Sequence, residues 1–454
     1  MTTIFQNSKS KLFSLFLIFN IICILIIFIK SKSPIVNDFW KYYYYFFLLN
    51  IIISLIILKK NPRNEIKKII ILSYLAFYLS FFTFEIIILN KEKKTKEIEI
   101  ENIILKKKKV DDFIKFSKKF ENLTIVNYPR DNFDNKQKLK NYPLSGVSMS
   151  KTLFCDEGEG YSFYNSDRFG FNNKDEIWNE EAVDYVVIGD STAHGACVPR
   201  EKNFISRLSI YSKKKFINLS YRGNGPLLEY ATLKEYAPEI KFKTIILVIS
   251  SVNDMQDLKN EMNVDLLQKY LQNDSFKQSL PKKQKEIDTF LKKKIQSNME
   301  IIKKEKINYD YSIDLKKTIL LGRSRNILHN LDRYINSYSI NKKQTYDINK
   351  KQFKNVLQKF IDFSDKNRLN FQVILFWDWT TLETNEKNTD HLVIKDVLDD
   401  LNIKYIDVEQ IMHNYKKDYR VLFPNSTINT KVGSNHFNAH GYDLIAKNIY
   451  KKLK

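Results

Sequence analysis

After residue 183 the chain alternates between short apolar runs and longer helical stretches, and this alternation limits the fold more than any other feature. The apolar runs are almost continuously hydrophobic, as strands buried on both faces are. Strands joined by helices predict a mainly parallel sheet covered by helices on both faces, with ligands bound at the carboxyl ends of the strands. The predicted strands are residues 184–190, 215–220, 243–250, 370–377 and 403–407, and the predicted helices are residues 201–213, 227–238, 346–367, 390–401 and 438–453.

The first 90 residues differ in composition, with three long apolar segments bordered by lysines. The segments are residues 12–29, 42–58 and 69–89, and as helices they would reach roughly 25 to 32 Å, the thickness of a bilayer core. They predict a three-helix transmembrane anchor over residues 1–90. Core helices of a soluble domain and a cleaved signal peptide are the alternatives, but the first segment is long for a signal peptide and no small-residue cleavage site follows it.

The orientation of this anchor depends on the lysines and arginines beside the membrane. A simple count favours an outer amino terminus, because residues 91–109 carry many lysines. Long domains cross the membrane largely regardless of charge, so the basic loop between the second and third segments carries more weight. We therefore predict an inner amino terminus and a carboxyl-terminal domain outside the cytoplasm.

Two further regions interrupt the strand and helix pattern. Residues 91–183 begin with a lysine-rich connector and continue as an irregular or β-rich prelude. Residues 255–345 are rich in Lys, Gln and Glu and are too long for a simple loop, so they predict a helical insertion. The insertion is either a cap over the substrate or a peripheral helical pair. The predicted domain that holds it is residues 184–454.

The net charge of +22 suggests nucleic acid as a partner, but the distribution of the charge does not. Lysine dominates over arginine and is spread along the whole chain, without one basic motif interleaved with aromatic residues. A solvated basic surface accounts for this pattern. The lysines at residues 91–109 could also contact anionic lipid heads or an acidic glycan.

Cysteine is sparse, and its positions suggest one disulfide. Cys23 lies in the first apolar segment, which leaves Cys155 and Cys197 in the rest of the chain. A bridge between these two would tie the prelude to the segment that follows the first predicted strand. Two free buried thiols are the alternative, and the bridge requires an oxidising compartment.

Four short motifs in residues 184–454 carry reactive or polar groups. Ser191 follows the first predicted strand in Gly-Asp-Ser, and Gly223, Asn253 and His436 follow in that order. A serine hydroxyl becomes a nucleophile when a base removes its proton, and His436 can be that base. The backbone N–H groups of Ser191 and Gly223, with the side-chain amide of Asn253, can form an oxyanion hole.

These four motifs resemble, in order and spacing, the blocks of the SGNH (GDSL-type) hydrolase family. The resemblance covers about residues 184–454, and it includes Asn218 five residues before Gly223 and Gly441 five residues after His436. It extends to the membrane-anchored SGNH proteins of bacterial envelope and polysaccharide gene clusters. The resemblance implies an α/β fold, a flavodoxin-like three-layer α/β/α sandwich, and the hydrolysis or transfer of acyl esters.

The sequence departs from the family pattern at two positions. Ser251 stands where the third block has glycine, a small change that leaves Asn253 in place. Gly433 stands three residues before the histidine, where the family has the aspartate that orients the imidazole. A backbone carbonyl or another carboxylate, with Asp378 as one candidate, could take that role. Otherwise Ser191 and the histidine would act as a dyad.

The resemblance implies a membrane-anchored serine esterase of the bacterial inner membrane. It would remove or transfer acyl groups, expected to be acetyl, on an envelope glycan or a lipid-linked sugar through an acyl-enzyme on Ser191. The alternative is an inactive glycan-binding or assembly protein with the same fold. We expect no cofactor and no metal, because His436 and His440 lack a nearby carboxylate or cysteine cluster in sequence. The expected partners are the lipid bilayer and an acylated glycan, and not nucleic acid.

Overall fold

The computed structural model describes residues 64–132, 141–307, 322–376, 389–415, 418–424 and 436–453, with a few single positions elsewhere. The chain forms two units: residues 1–102 with 307–340, and residues 103–306 with 341–454. The second unit contains all the strands described below.

The second unit is built on a five-stranded sheet in which every neighbouring pair is parallel. Its strands are β4 (Ala182–Gly189), β5 (Phe216–Asn218), β6 (Lys241–Ser250), β7 (Asn370–Phe376) and β8 (Tyr405–Asp407). The spatial order β5-β4-β6-β7-β8 is the 2-1-3-4-5 order of flavodoxin-like doubly wound folds. The predicted mainly parallel sheet is therefore confirmed.

Side chains of the central strands alternate between two buried cores, one on each face of the sheet. Along β6, Ile245, Leu247 and Ile249 belong to one core, whereas Ile246 and Val248 belong to the other. Each of these five side chains is fully buried, and burying one stabilises the fold by about 1.5–3 kcal/mol. Burial on both faces is why the sequence shows continuous apolar runs there.

Helices cover both faces, as the strand and helix alternation predicts. The first core includes side chains of α4 (Pro226–Tyr236), α7 (Gln284–Lys304), α8 (Gly322–Asn367) and α9 (Thr389–Asp400). The second core includes side chains of α3 (Phe204–Ser212), α10 (Val408–His413) and α11 (Ala439–Leu453). The sheet therefore lies between two helical layers. The remaining helices are α1 (Asn64–Ser117), α2 (Ser191–His194), α5 (Asp254–Glu261) and α6 (Asp265–Gln272).

The prelude contains a small mixed sheet in addition to irregular segments. Its strands are β1 (Leu123–Ile125), β2 (Lys151–Leu153) and β3 (Phe163–Asn165), with β2 parallel to β1 and antiparallel to β3. Residues 91–110, expected to be a polar connector, are instead helical and belong to α1. Lys, Glu and Ile tolerate a helical backbone well, so a polar composition does not prevent a helix there.

The region predicted as one helical insertion is divided between the two units. Residues 255–306 carry α5, α6 and α7 in the second unit, where Ile287 and Leu291 of α7 are buried in the first core. Residues 307–340 belong to the first unit. The part in the second unit is thus a packed portion of that unit's helical layer.

The predicted spans 12–29 and 42–58 lie almost entirely outside the described residues, and the predicted span 69–89 lies within α1. In the described part of the chain, no helix combines the length and apolar character needed to cross a membrane. The structure therefore gives the predicted three-helix anchor no support.

In the first unit, the buried carboxylate of Glu85 binds the beginning of α8. Glu85 accepts hydrogen bonds from the backbone N–H groups of Arg323 and Ser324 at 2.9 and 2.7 Å, and from the Ser324 hydroxyl at 2.7 Å. The Arg323 guanidinium forms an ion pair with the same carboxylate. A negative charge at a helix amino terminus satisfies N–H groups that have no partner within the helix.

Candidate active site

Ser191 lies at the carboxyl edge of the parallel sheet, two residues after β4. It begins the helical turn α2, and the Asp190 carboxylate caps that turn by accepting a hydrogen bond from the Thr192 N–H at 2.9 Å. Gly189 at the end of β4 has no room for a side chain, since a Cβ there would lie 2.8 Å from the Ala193 Cβ and 2.9 Å from the Val248 Cβ. The tight exit from the strand holds the serine hydroxyl at the sheet edge.

His436 contacts the serine directly, just before α11 begins. Its Nε2 lies 2.8 Å from the Ser191 Oγ, a hydrogen-bond distance suited to proton transfer from the hydroxyl to the ring. The histidine side chain is only 5 % exposed. A nucleophile and a base that are 245 residues apart in sequence thus meet at one edge of the sheet.

Glu157 supplies a carboxylate on the other side of the His436 ring. It lies in the loop between β2 and β3, and its Oε1 is 2.7 Å from the Nδ1 of His436. A carboxylate at this position favours the tautomer with a proton on Nδ1, which leaves Nε2 free to accept the proton of Ser191. Gly433 and Asp378 lie outside the described residues. Of the alternatives that the sequence left open, the structure shows another carboxylate beside His436, and this carboxylate is Glu157.

The sequence offered one indirect sign of this role. Glu157 follows Cys155 by two residues, and Cys155 forms a disulfide with Cys197, six residues after Ser191. The bridge joins positions 42 residues apart and brings their Cα atoms to 4.9 Å. A bridge between these two cysteines places the loop around Cys155 beside Ser191. The acidic residues of that loop are therefore candidates for the carboxylate that contacts His436.

Gly223, one candidate oxyanion donor, follows β5 and has a backbone that favours glycine. Its φ is +78°, and a Cβ would lie 2.6 Å from the Cδ1 of Tyr128. Both the left-handed backbone and the neighbouring ring exclude a side chain. Glycine at this position is therefore required by the local backbone and by the packing of Tyr128.

Asn253, the second candidate donor, follows β6 immediately before α5. Its Nδ2 donates a hydrogen bond to Oδ2 of Asp257 at 2.7 Å, which fixes the direction of the amide. An amide nitrogen carries two hydrogens, so the second one remains available for an oxyanion. Ser251 donates its backbone N–H to the Phe376 carbonyl of β7 at 3.2 Å, in continuation of the strand pairing. The serine in the glycine position of the motif is compatible with this arrangement.

Acidic side chains buried beneath the sheet edge serve the fold. Asp254 accepts a hydrogen bond from the Ser250 N–H at 2.6 Å, and burial and the charge of Asp190 raise its pKa well above the ordinary range. Burial likewise raises the pKa of Asp190. Burial and the charge of Asp254 raise the pKa of Glu229, whose carboxylate oxygens have no hydrogen-bond donor among the described residues. A raised pKa favours the protonated form of these side chains. A group that stabilises an imidazolium must instead be an ionised carboxylate.

The other histidines near the motifs have different surroundings. His194 is fully buried, its ring stacks on Tyr221, and its Nδ1 accepts the Arg222 N–H at 3.1 Å. Burial and the nearby Arg222 charge lower the pKa of His194 to about 3, so the ring is neutral. His440 is exposed on α11. Both positions indicate structural or surface roles.

One group of potential metal ligands overlaps the triad of Ser191, His436 and Glu157. The ligand atoms of Glu157, Cys197 and His436 all lie within 4.8 Å of one another. The Cys197 sulfur is in the disulfide and supplies no thiolate, and the other two side chains bind each other. These residues do not fit a metal site.

Comparisons with known proteins add little beyond this geometry. No protein-family model matches the sequence, and no curated protein matches it. A solved structure from Desulfitobacterium hafniense DCB-2, named as a lipolytic protein of the G-D-S-L family, is similar at 11% identity and a TM-score of 0.31. The similarity covers 59% of this chain and 98% of that chain. A likeness at this TM-score does not establish a shared fold.

Proposed function

We propose that the chain is a serine hydrolase of the SGNH type that cleaves or transfers acyl esters. The observation that carries the proposal is the position of His436 between two partners. One ring nitrogen lies 2.8 Å from the Ser191 hydroxyl and the other lies 2.7 Å from the Glu157 carboxylate. A nucleophile, a base and an orienting acid in this order are what acyl transfer requires.

The proposed reaction has two halves. The Ser191 Oγ attacks the acyl carbon while its proton moves to Nε2 of His436, and Glu157 stabilises the imidazolium that forms. The tetrahedral oxyanion is bound by the N–H groups of Ser191 and Gly223 and by the Asn253 amide. His436 then protonates the leaving alcohol, which leaves an acyl group on the serine. Water or a sugar hydroxyl, deprotonated by the same histidine, releases it.

The substrate we propose is an acyl ester, expected to be acetyl, on an envelope glycan or a lipid-linked sugar. The motif resemblance supports this substrate.

We also propose that the site lies outside the cytoplasm at a bacterial inner membrane. The disulfide supports an oxidising compartment, and the apolar segments before residue 90 support membrane attachment. A reporter fused to the carboxyl terminus tests the location.

Labelling with a fluorophosphonate probe tests the activity, because the probe reacts with serines that a base activates. We expect wild-type protein to be labelled and Ser191→Ala to lose labelling completely. Ser275→Ala, at an exposed serine far from these motifs in sequence, is the matched control and should label as wild type does. Equal labelling of Ser191→Ala and wild type would end the proposal.

The alternative is an inactive glycan-binding or assembly protein, and it was motivated by the missing aspartate at position 433. The absence of that aspartate no longer argues for an inactive protein, because the Glu157 carboxylate contacts the Nδ1 of His436. Absence of labelling in wild-type protein with a native circular dichroism spectrum would favour the alternative.

A further inference from the structure

Two arginines flank one tyrosine ring beside the candidate oxyanion hole. The guanidinium carbons of Arg130 and Arg222 each lie 5.1 Å from the centre of the Tyr128 ring. Guanidinium groups at this distance from an aromatic ring form cation–π contacts that orient them. We call Tyr128, Arg130 and Arg222 the arginine–tyrosine cluster. The triad does not use it.

The cluster is adjacent to the atoms that would bind the oxyanion. A Cβ on Gly223 would lie 2.6 Å from Tyr128 and 3.5 Å from Nε of Arg130. Arg222 precedes Gly223 in sequence, and its backbone N–H is fixed by the His194 ring. Arg130 also shares Asp257 with the Asn253 amide, since both donate to that carboxylate. A substrate bound with its acyl group in the oxyanion hole would have its neighbouring atoms close to these side chains.

The positive charge of the cluster is only partly neutralised. Arg130 forms an ion pair with Asp257 at 3.2 Å, while its side chain stays 43% exposed. For Arg222, no carboxylate among the described residues lies within ion-pair distance, and its side chain is half-buried. Lys109 is a third basic side chain close to the cluster, since burial and the Arg222 charge lower the pKa of Lys109 to about 8. An arginine without an acidic partner can form charge-assisted hydrogen bonds with an anionic ligand.

We propose that the arginine–tyrosine cluster is a subsite for an anionic group on the alcohol part of the ester substrate, next to the scissile acyl group. This proposal rests on the proposed esterase activity and narrows its substrate to acylated sugars that carry a carboxylate or a phosphate. Guanidinium groups bind both through paired N–H donors, and the face of Tyr128 suits the apolar face of a sugar ring.

Matched acetylated sugars test the subsite. The substrates are mono-O-acetyl forms of methyl glucuronide, of glucose 1-phosphate and of methyl glucoside, which present a carboxylate, a phosphate and no charge. We expect kcat/KM for at least one anionic substrate to exceed that for the neutral one by about tenfold or more. The carboxylate and phosphate arms identify the source of the charge. The preference for the anionic substrate should be smaller in 0.5 M NaCl, because salt screens charges that are exposed to solvent.

Substitutions connect the preference to the cluster. Arg222→Ala should reduce the ratio of anionic to neutral kcat/KM by about tenfold, and Arg222→Lys should restore part of it. Arg420→Ala, at an exposed arginine outside the cluster, is the matched control and should keep the wild-type ratio. Thermal unfolding of each variant shows whether it folds. Equal use of charged and neutral sugars by wild type, or the same loss on all substrates in Arg222→Ala, would overturn the proposal.

The experiments distinguish failure of the subsite proposal from failure of the esterase proposal. If wild-type protein is not labelled by fluorophosphonate, the esterase proposal fails, and the subsite is then tested by titrating methyl glucuronide and glucose 1-phosphate in a calorimeter. Binding that is weakened in Arg222→Ala but not in Arg420→Ala supports the anion subsite. Absence of binding to both anions overturns it.

Discussion

The candidate active site draws its residues from two regions that are held in place differently. Ser191, Gly223 and Asn253 follow β4, β5 and β6, so their backbone positions are set by a sheet buried on both faces. Glu157 lies in a loop whose neighbours, from Asp156 to Gly160, are mostly exposed. Nonlocal packing fixes the first region, whereas a few contacts fix the second.

The contacts that hold this loop include a hydrogen-bonded turn and a covalent bond. The Asp156 carboxylate accepts the N–H groups of Gly158 and Gly160 at 2.8 and 3.0 Å, and Cys155 is bound to Cys197. The comparison shows that a side chain outside the core can be brought to the sheet edge when its loop is crosslinked to the segment that follows β4.

The largest effect is expected at the acid itself. Glu157→Gln keeps the size of the side chain but cannot stabilise the imidazolium, so kcat should fall by about 10³- to 10⁴-fold with little change in KM. Glu159→Gln changes an exposed neighbour in the same loop and should leave kcat within about twofold. Steady-state hydrolysis of p-nitrophenyl acetate measures both. Similar losses in the two variants would show that loop charge, rather than the contact with His436, matters.

On the sheet edge, Asn253→Ala should lower kcat by about 10²- to 10³-fold, because it removes one donor to the oxyanion. Asn260→Ala, at an exposed position of the following helix α5, serves as the control. Fluorophosphonate labelling of Asn253→Ala should slow but persist, since Ser191 and His436 remain. An unchanged kcat in Asn253→Ala would remove this residue from the oxyanion hole.

A smaller loss is expected from opening the disulfide. Reduction by a phosphine, or the double substitution Cys155→Ser and Cys197→Ser, should lower kcat by about tenfold, since misplacing a catalytic group by about 1 Å can cost up to about a hundredfold. In the Glu157→Gln background, the same reduction should change kcat by less than about twofold. A tenfold loss in both backgrounds would mean that the bridge supports the fold in general and not the position of Glu157.

The smallest effect on turnover is expected for the buried acids beneath the sheet edge, where the raised pKa of Glu229 links the free energy of unfolding, rather than kcat, to pH. The folded state retains this proton more strongly than the unfolded state, so its contribution to stability is lost as pH rises above the usual glutamate range. Glu229→Gln, which carries no ionisable proton, should therefore lose less stability than wild type between pH 5 and pH 8, by up to about 1.4 kcal/mol per pH unit. Urea unfolding measures it, with the exposed Glu239→Gln as control. Parallel pH profiles for wild type and Glu229→Gln would contradict this prediction.

The sheet could be predicted from sequence because its evidence is local. The predicted strand at residues 243–250 corresponds to β6, Lys241–Ser250, and the predicted strand at residues 370–377 corresponds to β7, Asn370–Phe376. A continuous apolar run indicates a strand that is buried on both faces, and this inference does not require knowing which residues pack against the strand. The motif residues at strand ends followed from the same local pattern, because parallel strands bring their carboxyl ends to one edge.

The acid could not be predicted in this way, because its evidence is nonlocal. Glu157 and His436 are 279 residues apart. Apart from the cysteine two residues before Glu157, nothing close to either residue in sequence indicates the other. The loop around Glu157 is glycine-rich and acidic, which is typical of an exposed turn. The family pattern also places the acid at position 433, which follows the nucleophile in the chain, whereas Glu157 precedes it.

Because Glu157 precedes β4 in the chain, the smallest working unit is larger than the sheet and its helices. A fragment beginning at residue 184, the boundary that the strand pattern suggests, would keep Ser191 and His436 but would leave out the acid and one half of the disulfide. Its unpaired Cys197 would be prone to form mixed dimers during purification. Fragments for biochemistry or crystallisation should therefore begin before β1. Weak activity in a shorter fragment would result from the loss of Glu157 and of the disulfide.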